Sequence, residues 1–482
     1  MPARDFYLLS PELAIAGLAA LVIVLDLLLR NKSLVAGVAL LGLLVPAYFA
    51  ARLWGVHETA FHGILVVDNF SIFFKFLFLG VAGLIILASQ RTMQTFGRFV
   101  GEYYALVLLA SVGLMLIAST AELITIYIAL ELNAICLIAL VSFFRSGAST
   151  EAGVKFLVLN GISSAVLLYG LALVFGVSGT TMLGEVAAAV PERLADSPAL
   201  LAGVVFMIAG FGFKIASFPF QMWVPDVYQG APTPVTAYLS VASKAAGFAV
   251  ILRVFYLALG DASVDWSMLF AVLAVGSMTL GNLVAMGQND LKRLLAYSTI
   301  AHAGYMMIGL AAVSQRTGDA GLVGPQSILF YLAGYAFTNL GAFFAIIAIA
   351  HKTNSYAIDD LAGVSKRAPL LAALLAICVI SLSGVPPTVG FWAKIYLFNA
   401  AVQAHLVWLA VAGVINSVVS AYYYLRIIRT MYLESPRSEE RIAAPASLAL
   451  SLLITAGGVL LFGVLPGVLL SLAIKATQGF PS

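Results

Sequence analysis

Long apolar runs recur along the whole chain, Leu13–Leu29 and Leu370–Leu382 among them, and they leave few folds open. Of the 482 residues, 62% are hydrophobic and 10% charged, whereas a soluble domain carries roughly 25% charged residues. A surface this apolar needs hydrocarbon rather than water as its solvent. In hydrocarbon only helices and closed barrels satisfy their own backbone. The runs lack the alternation of apolar and polar residues that barrel strands require. The chain therefore reads as an all-α polytopic membrane protein.

Windows of ~20 residues predict about 14 transmembrane helices, near 12–29, 34–54, 71–90, 104–120, 122–143, 155–177, 199–221, 234–256, 267–287, 294–313, 327–350, 370–396, 403–430 and 446–474. The connections Gly179–Pro198 and Glu434–Ala444 read as ordinary loops, so 1–482 is expected to form a single integral membrane domain. The opening MPARDFYLLSPEL lacks a cleavable-signal pattern, and the first apolar segment is expected to be retained. Loops after odd-numbered spans hold most basic residues, among them Arg30, Lys32, Arg91, Arg98, Arg145, Lys292, Arg293, Lys352, Arg426 and Arg437. The termini and remaining loops hold Arg4, Arg52, Arg193, Arg253, Arg316 and Lys475. The positive-inside rule then predicts both termini on the outer, periplasmic side.

Composition excludes several chemistries. A net charge of +3 is too small to suggest a nucleic-acid partner. The two cysteines, Cys136 and Cys378, each sit in an apolar run and read as small buried hydrophobes. Their number and spacing cannot hold an iron–sulfur cluster. The five histidines show no paired helical spacing for haem, and no metal site or cofactor is expected in this chain.

Arg52, Arg253, Arg426 and Arg429 fall within five residues of a predicted span end and are counted with the loops; the other basic residues inside the predicted spans are Lys75, Lys155, Lys214, Lys244 and Lys394. All are lysines, which can lose a proton when desolvated, whereas arginine stays charged. Glu131 is also mid-span, in IYIALELNAICL. Each such group at a helix centre costs roughly 2.5–3.5 kcal/mol on insertion scales. Glu131, Lys214, Lys244 and Lys394 together point to an ion path rather than to packing. Lys75 and Lys155 lie near predicted helix ends. For Lys75 that position predicts snorkelling to the interface; Lys155 is open to either reading. Two spans carry helix breaks: Pro219 and Pro225 follow Lys214, while Pro386 and Pro387, with Gly384 and Gly390, precede Lys394. Proline frees a carbonyl from the helix, and such breaks are tolerated where backbone lines a cavity. Broken spans in corresponding halves suggest an internal repeat around a mid-membrane ion site. The expected units are spans 4–8, about 104–256, and spans 9–13, about 267–430, preceded by spans 1–3 at about 12–90. In that register His302 is a candidate counterpart of Glu131, with an interhelical packing role as the alternative.

Three stretches carry a family likeness. KIASFPFQMWVPDVYQGAPTPVTAYLSVASKAAG, QNDLKRLLAYSTIAHAGYMMIG and SLSGVPPTVGFWAKIYLF resemble signatures of the antiporter-like subunits of respiratory complex I. Within that family, PDVYQGAPTPV and GFWAK are similar to the N branch rather than to the longer L branch with its lateral helix. The resemblance implies two inverted five-helix repeats with half-closed channels, and proton translocation coupled to NADH–quinone electron transfer in other subunits. It implies Glu131 as the charge partner of Lys214, Lys244 as a central relay and Lys394 near the exit. It also implies that Lys155 bridges towards the seventh and eighth spans. NADH, FMN, iron–sulfur clusters and quinone are expected in partner subunits, and the expected partners are other membrane-arm subunits, including antiporter-like homologues, and the lipid of a bacterial inner membrane. Many family members have histidine where Gln221 stands, so a relay there would need water or another residue. Competing expectations are a subunit of a multisubunit sodium/proton antiporter, a scaffold subunit with vestigial charges, and a stand-alone sugar or drug carrier.

Overall fold

A computed structural model describes residues 2–97, 99–190, 196–260, 263–312, 322–438 and 440–478. Arg98, Arg193 and Arg316, counted above as loop charges, lie outside the described residues. Among the described residues thirteen helices are long and apolar enough to cross a membrane. They are Ser10–Leu28, Lys32–Arg52, Asn69–Phe96, Val100–Ser119, Leu123–Val141, Gly147–Ser178, Pro198–Ile215, Thr233–Ala258, Trp266–Met286, Leu291–Ala311, Val323–Thr353, Val407–Leu433 and Ala446–Val464. The pair Pro369–Ser383 and Val389–Gln403 supplies one further passage, the twelfth in chain order. The multi-pass helical class expected from the sequence is the one observed.

Local chemistry explains the ends. The third span begins at a capping box in which Asp68 accepts from the Ser71 backbone and Ser71 returns a bond. The sixth is capped by Ser146 and closed by Gly179 at φ +72°, the left-handed position that glycine adopts without penalty. Outer spans turn apolar side chains outward, such as Ile124, Ile128 and Ile135 on the fifth. The eighth, tenth and eleventh spans are instead each 94% buried over their central windows. These three are the interior of the bundle, and they carry Lys244, His302 and a run of tyrosines.

Several expectations need correction. The fourteenth span, predicted as one helix over 446–474, stops at Val464 and restarts as Pro466–Thr477, because Pro466 cannot supply the backbone donor that continuity requires. The sixth helix begins at Gly147, not near 155, so Lys155 sits about two turns inside it. The Gly179–Pro198 connection contains a short helix, Leu183–Ala189. Between the second and third spans a small antiparallel hairpin pairs Glu58–Ala60 with Leu65–Val67.

Lys75 does not snorkel. Its side chain is fully buried and ion-paired to Glu12 of the first span at 2.8 Å, because the third helix starts at Asn69 inside a packed surround. Two residues counted as loop cations are also buried. Arg253 pairs with Asp68 at 2.8 Å, and Lys292 donates to the carbonyls of Gln229 and Ala231.

Both central breaks are present, and both open on a left-handed residue. The seventh span leaves its helix at Ala216, φ +63°, and resumes as Trp223–Gly230. The twelfth leaves at Gly384, φ +88°, and resumes at Val389. Pro219, Pro386 and Pro387 lie in the gaps. Pro225 does not: it occupies the first turn of the resumed helix, where its missing N–H leaves no vacancy. The eighth span has no full break, but it widens into π turns at Leu239–Ser243 and Val254–Ala258. Lys244 is the first residue after the earlier one.

Candidate functional site

The break in the seventh span places Lys214 in the last turn of a half-helix that ends inside the protein. Its ammonium donates to the Asn160 side-chain oxygen at 2.7 Å and lies 3.7 Å from a Glu131 carboxylate oxygen. Glu131, from the fifth span, in turn accepts from the Ser164 hydroxyl. Asn160 and Ser164 are one turn apart on the sixth span and face the same way. Each member of the ion pair therefore has a neutral second partner. The broken backbone is held as well: the Trp223 indole donates to the Phe213 carbonyl at 3.1 Å and stacks on Phe156. Gln221 sits buried in the gap, and its side-chain oxygen has no hydrogen-bond partner among the described residues.

A second cluster fills the bundle interior. Lys244, 2% exposed, donates to the Thr299 carbonyl, and its ammonium lies 5.7 Å from the Tyr335 ring centre. The Thr299 and Tyr335 hydroxyls are 2.9 Å apart. The His302 ring lies 5.1 Å from the Tyr335 ring, with Nδ1 2.5 Å from the Tyr331 hydroxyl and Nε2 3.1 Å from the Tyr424 hydroxyl. Tyr424 continues to Ser298 at 2.5 Å. On the far side, Tyr305 is 5.8 Å from His302, and the Lys394 ammonium sits 4.7 Å from the Tyr305 ring centre. Lys394 donates to the carbonyl of Ser383, the last residue before the twelfth-span break. A cavity of about 10 Å³ lies between His302, Tyr331, Thr338, Ser381 and Gly390, close to the smallest volume that holds one water, ~10–15 Å³.

Lysine ammoniums are thus held in two ways. Lys214 faces a carboxylate, while Lys244 and Lys394 face carbonyl dipoles and aromatic rings, which attract cations through the ring quadrupole. Glu131 and Lys214 come together as expected, and His302 shares its aromatic shell with Lys244 and Lys394. Lys214 and Lys244 do not bond to one another among the described residues, although Gly247 packs against the backbone at Lys214 and Ile215. Lys155 stands apart. Its side chain is 43% exposed and pairs with Glu151 at 2.8 Å and Asp226 at 2.9 Å. Asp226 also holds Arg293 at 2.7 Å, so Lys155 does reach the resumed seventh helix.

Sequence reasoning missed Asn160, Ser164, Tyr305, Tyr331, Tyr335 and Tyr424. The first two were findable as an i,i+4 polar pair in an apolar run, and Tyr331 and Tyr335 likewise share a helix face. Nothing in sequence spacing could have paired Glu12 with Lys75.

The family described as NADH:quinone oxidoreductase/Mrp antiporter, TM matches residues 120–420. The chain is 44% identical to NADH-quinone oxidoreductase subunit N of Dehalococcoides mccartyi, covering 98% of this chain and 99% of that one. Among solved structures it is similar to a chain of respiratory complex I from Thermus thermophilus, with TM-score 0.82, 32% identity and coverage of 96% and 98%. It is also similar to a chain of an archaeal membrane-bound sulfane sulfur reductase, with TM-score 0.85, 26% identity and coverage of 99% and 97%. The chain belongs to the NADH:quinone oxidoreductase/Mrp antiporter membrane-subunit family and, within it, to the subunit N group of NADH-quinone oxidoreductase.

Proposed function

We propose that this chain translocates protons as a membrane-arm subunit of an NADH:quinone oxidoreductase in a bacterial inner membrane, with both termini on the periplasmic side. The observation that carries the reading is the run of buried polar groups from Lys244 through Thr299, Tyr335 and His302 to Tyr305 and Lys394, beside the Lys214–Glu131 pair. Residues about 104–256 and 267–430 act as the two five-helix units, each with one broken helix. Glu131 favours the protonated Lys214, and burial favours its loss. Retreat of Glu131 towards Ser164, with Asn160 taking the ammonium, shifts that balance, and each pKa unit corresponds to about 1.4 kcal/mol. A proton released from Lys214 passes to Lys244 through water, since among the described residues no side chain bonds to both and Gln221 cannot titrate. His302 and the surrounding tyrosine hydroxyls carry it on to Lys394. Lys155 sets the position of the resumed seventh helix through Asp226. NADH, FMN, iron–sulfur clusters and quinone belong to partner subunits, and this chain supplies no redox group.

The test is Lys214→Ala and Glu131→Ala in the intact complex, with NADH oxidation and proton uptake measured together in sealed vesicles. Both variants assemble and pump poorly in this reading; normal pumping by either rejects the couple. The antiporter alternative shares the fold and the family description. It predicts purification without NADH:quinone activity and transport that responds to sodium, whereas a 44% identical relative named as subunit N favours the redox-coupled assembly.

A further inference from the structure

Between the third span, the eleventh span and the terminal helix pair lies a cavity of about 610 Å³ whose lining side chains are all apolar. Trp54 lines it at the end of the second span, with Phe76, Leu84, Leu340 and Leu472 among the other lining residues. Gly80 lies in its floor, and a Cβ built there meets nothing within 4 Å. Along the third helix the groove runs from Phe73 to Leu84, about 16 Å at ~1.5 Å per residue. That matches one leaflet of a hydrocarbon core ~30 Å thick. Beyond it Ile85, Ile86 and Ile346 are buried and do not line the groove. A spanning partner helix would need contact across both leaflets; an acyl chain needs only this one.

The open end has the character of a headgroup level. Tryptophan prefers the membrane–water interface, and Trp54 stands there. The Asn69 side chain accepts from the Gly55 backbone at 2.8 Å and donates to the Lys475 carbonyl at 3.3 Å. Lys475 and Arg52 are thereby brought to the same end, both exposed and, among the described residues, without a carboxylate at ion-pair distance. We propose that this groove binds one acyl chain of an anionic phospholipid, with Arg52 and Lys475 holding the phosphate and Trp54 marking the glycerol level.

The test uses the whole complex extracted in mild detergent. A phosphatidylglycerol bearing a photoreactive acyl chain is crosslinked to the wild type, and peptides spanning 73–84 or 469–472 are expected to carry the label. Gly80→Leu fills the groove and is expected to abolish that label while the complex keeps all its subunits. Arg52→Gln with Lys475→Gln is expected to retain lipid but to lose preference for phosphatidylglycerol over phosphatidylcholine, by about fivefold per charge removed. Absence of label in the wild type overturns the proposal without recourse to any variant. Loss of a protein subunit from Gly80→Leu identifies a partner helix as the occupant and also overturns it. Equal labelling by both lipids in the wild type overturns the anionic assignment. None of these outcomes bears on pumping, so the proton-translocation reading stands or falls separately.

Discussion

Among the described residues two lysine–glutamate pairs lie inside the helix bundle, and they are built differently. Lys75 and Glu12 join the third span to the first at 2.8 Å, with side chains 0% and 3% exposed, and neither has a hydrogen-bonding alternative among the described residues. Lys214 and Glu131 stand 3.7 Å apart, with side chains 8% and 26% exposed, and each is already bonded to a neutral group, Asn160 or Ser164. Opening the first pair strands two charges in a dry interior. Opening the second transfers each charge to a waiting dipole. We propose that charge burial alone does not mark a proton site and that a second partner for each charge does. In the proposed reading that criterion makes the Glu12–Lys75 pair a fastener and the Glu131–Lys214 pair a switch.

The sharpest way to break this contrast is Lys75→Met. Leaving a buried ion unpaired typically costs about 3–5 kcal/mol, so the variant should fail to accumulate as assembled complex. Glu12→Gln combined with Lys75→Met should recover much of the loss, because no stranded charge remains. Native-gel abundance and thermal stability of the complex report both. If Lys75→Met assembles at wild-type level and only its pumping falls, the pair is not a fastener and the criterion fails.

The next effect is the opposite pattern at the second pair. Glu131→Gln and Lys214→Met should assemble, because Ser164 and Asn160 still satisfy what remains, while pumping falls by at least about tenfold, within the range for loss of a proton-transferring side chain. Complexes that are absent rather than inactive would make the two pairs equivalent.

What the sequence could disclose follows the same division. Helix number was legible because the bilayer demands about 20 apolar residues per crossing, and the breaks were legible because proline and glycine punctuate locally. Glu131, Lys214, Lys244, His302 and Lys394 stood out because each interrupts an apolar run. Their environments were not legible. Lys75 looked like a snorkelling residue because its partner, Glu12, lies two spans earlier. The fourteenth span looked continuous because Pro466–Gly467 is short and apolar residues resume on either side, Val464 and Leu465 before it and Val468 and Leu469 after it. The tyrosine shell around His302 was hidden because tyrosine in an apolar run reads as ordinary packing, and only the fold brings the tenth, eleventh and thirteenth spans together on one imidazole.

That shell extends the contrast to charges with no carboxylate at all. Lys244→Met preserves length and packing, so it should keep the complex but reduce proton translocation severalfold, a smaller loss than at Lys214 because water near His302 can carry part of the flux. Lys394→Arg and Lys394→Ala should both be defective, since arginine does not readily release its proton. Wild-type pumping by Lys394→Arg would show that a fixed charge suffices there and would remove Lys394 from any protonation cycle.

The smallest effect is expected at Lys155, and its direction separates a positioning charge from a titrating one. Lys155 lies at the exposed rim, held between Glu151 and Asp226, and Asp226 is shared with Arg293. Here water screens the pair, and exposed pairs of this kind contribute little. Among the described residues its ammonium meets two carboxylates and no neutral acceptor that could take over the charge. The contrast between fastener and switch therefore assigns it to positioning the resumed seventh helix, with no need to release a proton. Lys155→Arg supplies the same charge with a broader donor set and should change pumping by less than about twofold. Lys155→Gln removes the charge and should loosen Asp226, lowering the pumping rate without altering protons moved per NADH. An arginine variant as impaired as Lys394→Arg would place Lys155 among the titrating lysines and show that an exposed residue with only carboxylate partners can still relay a proton.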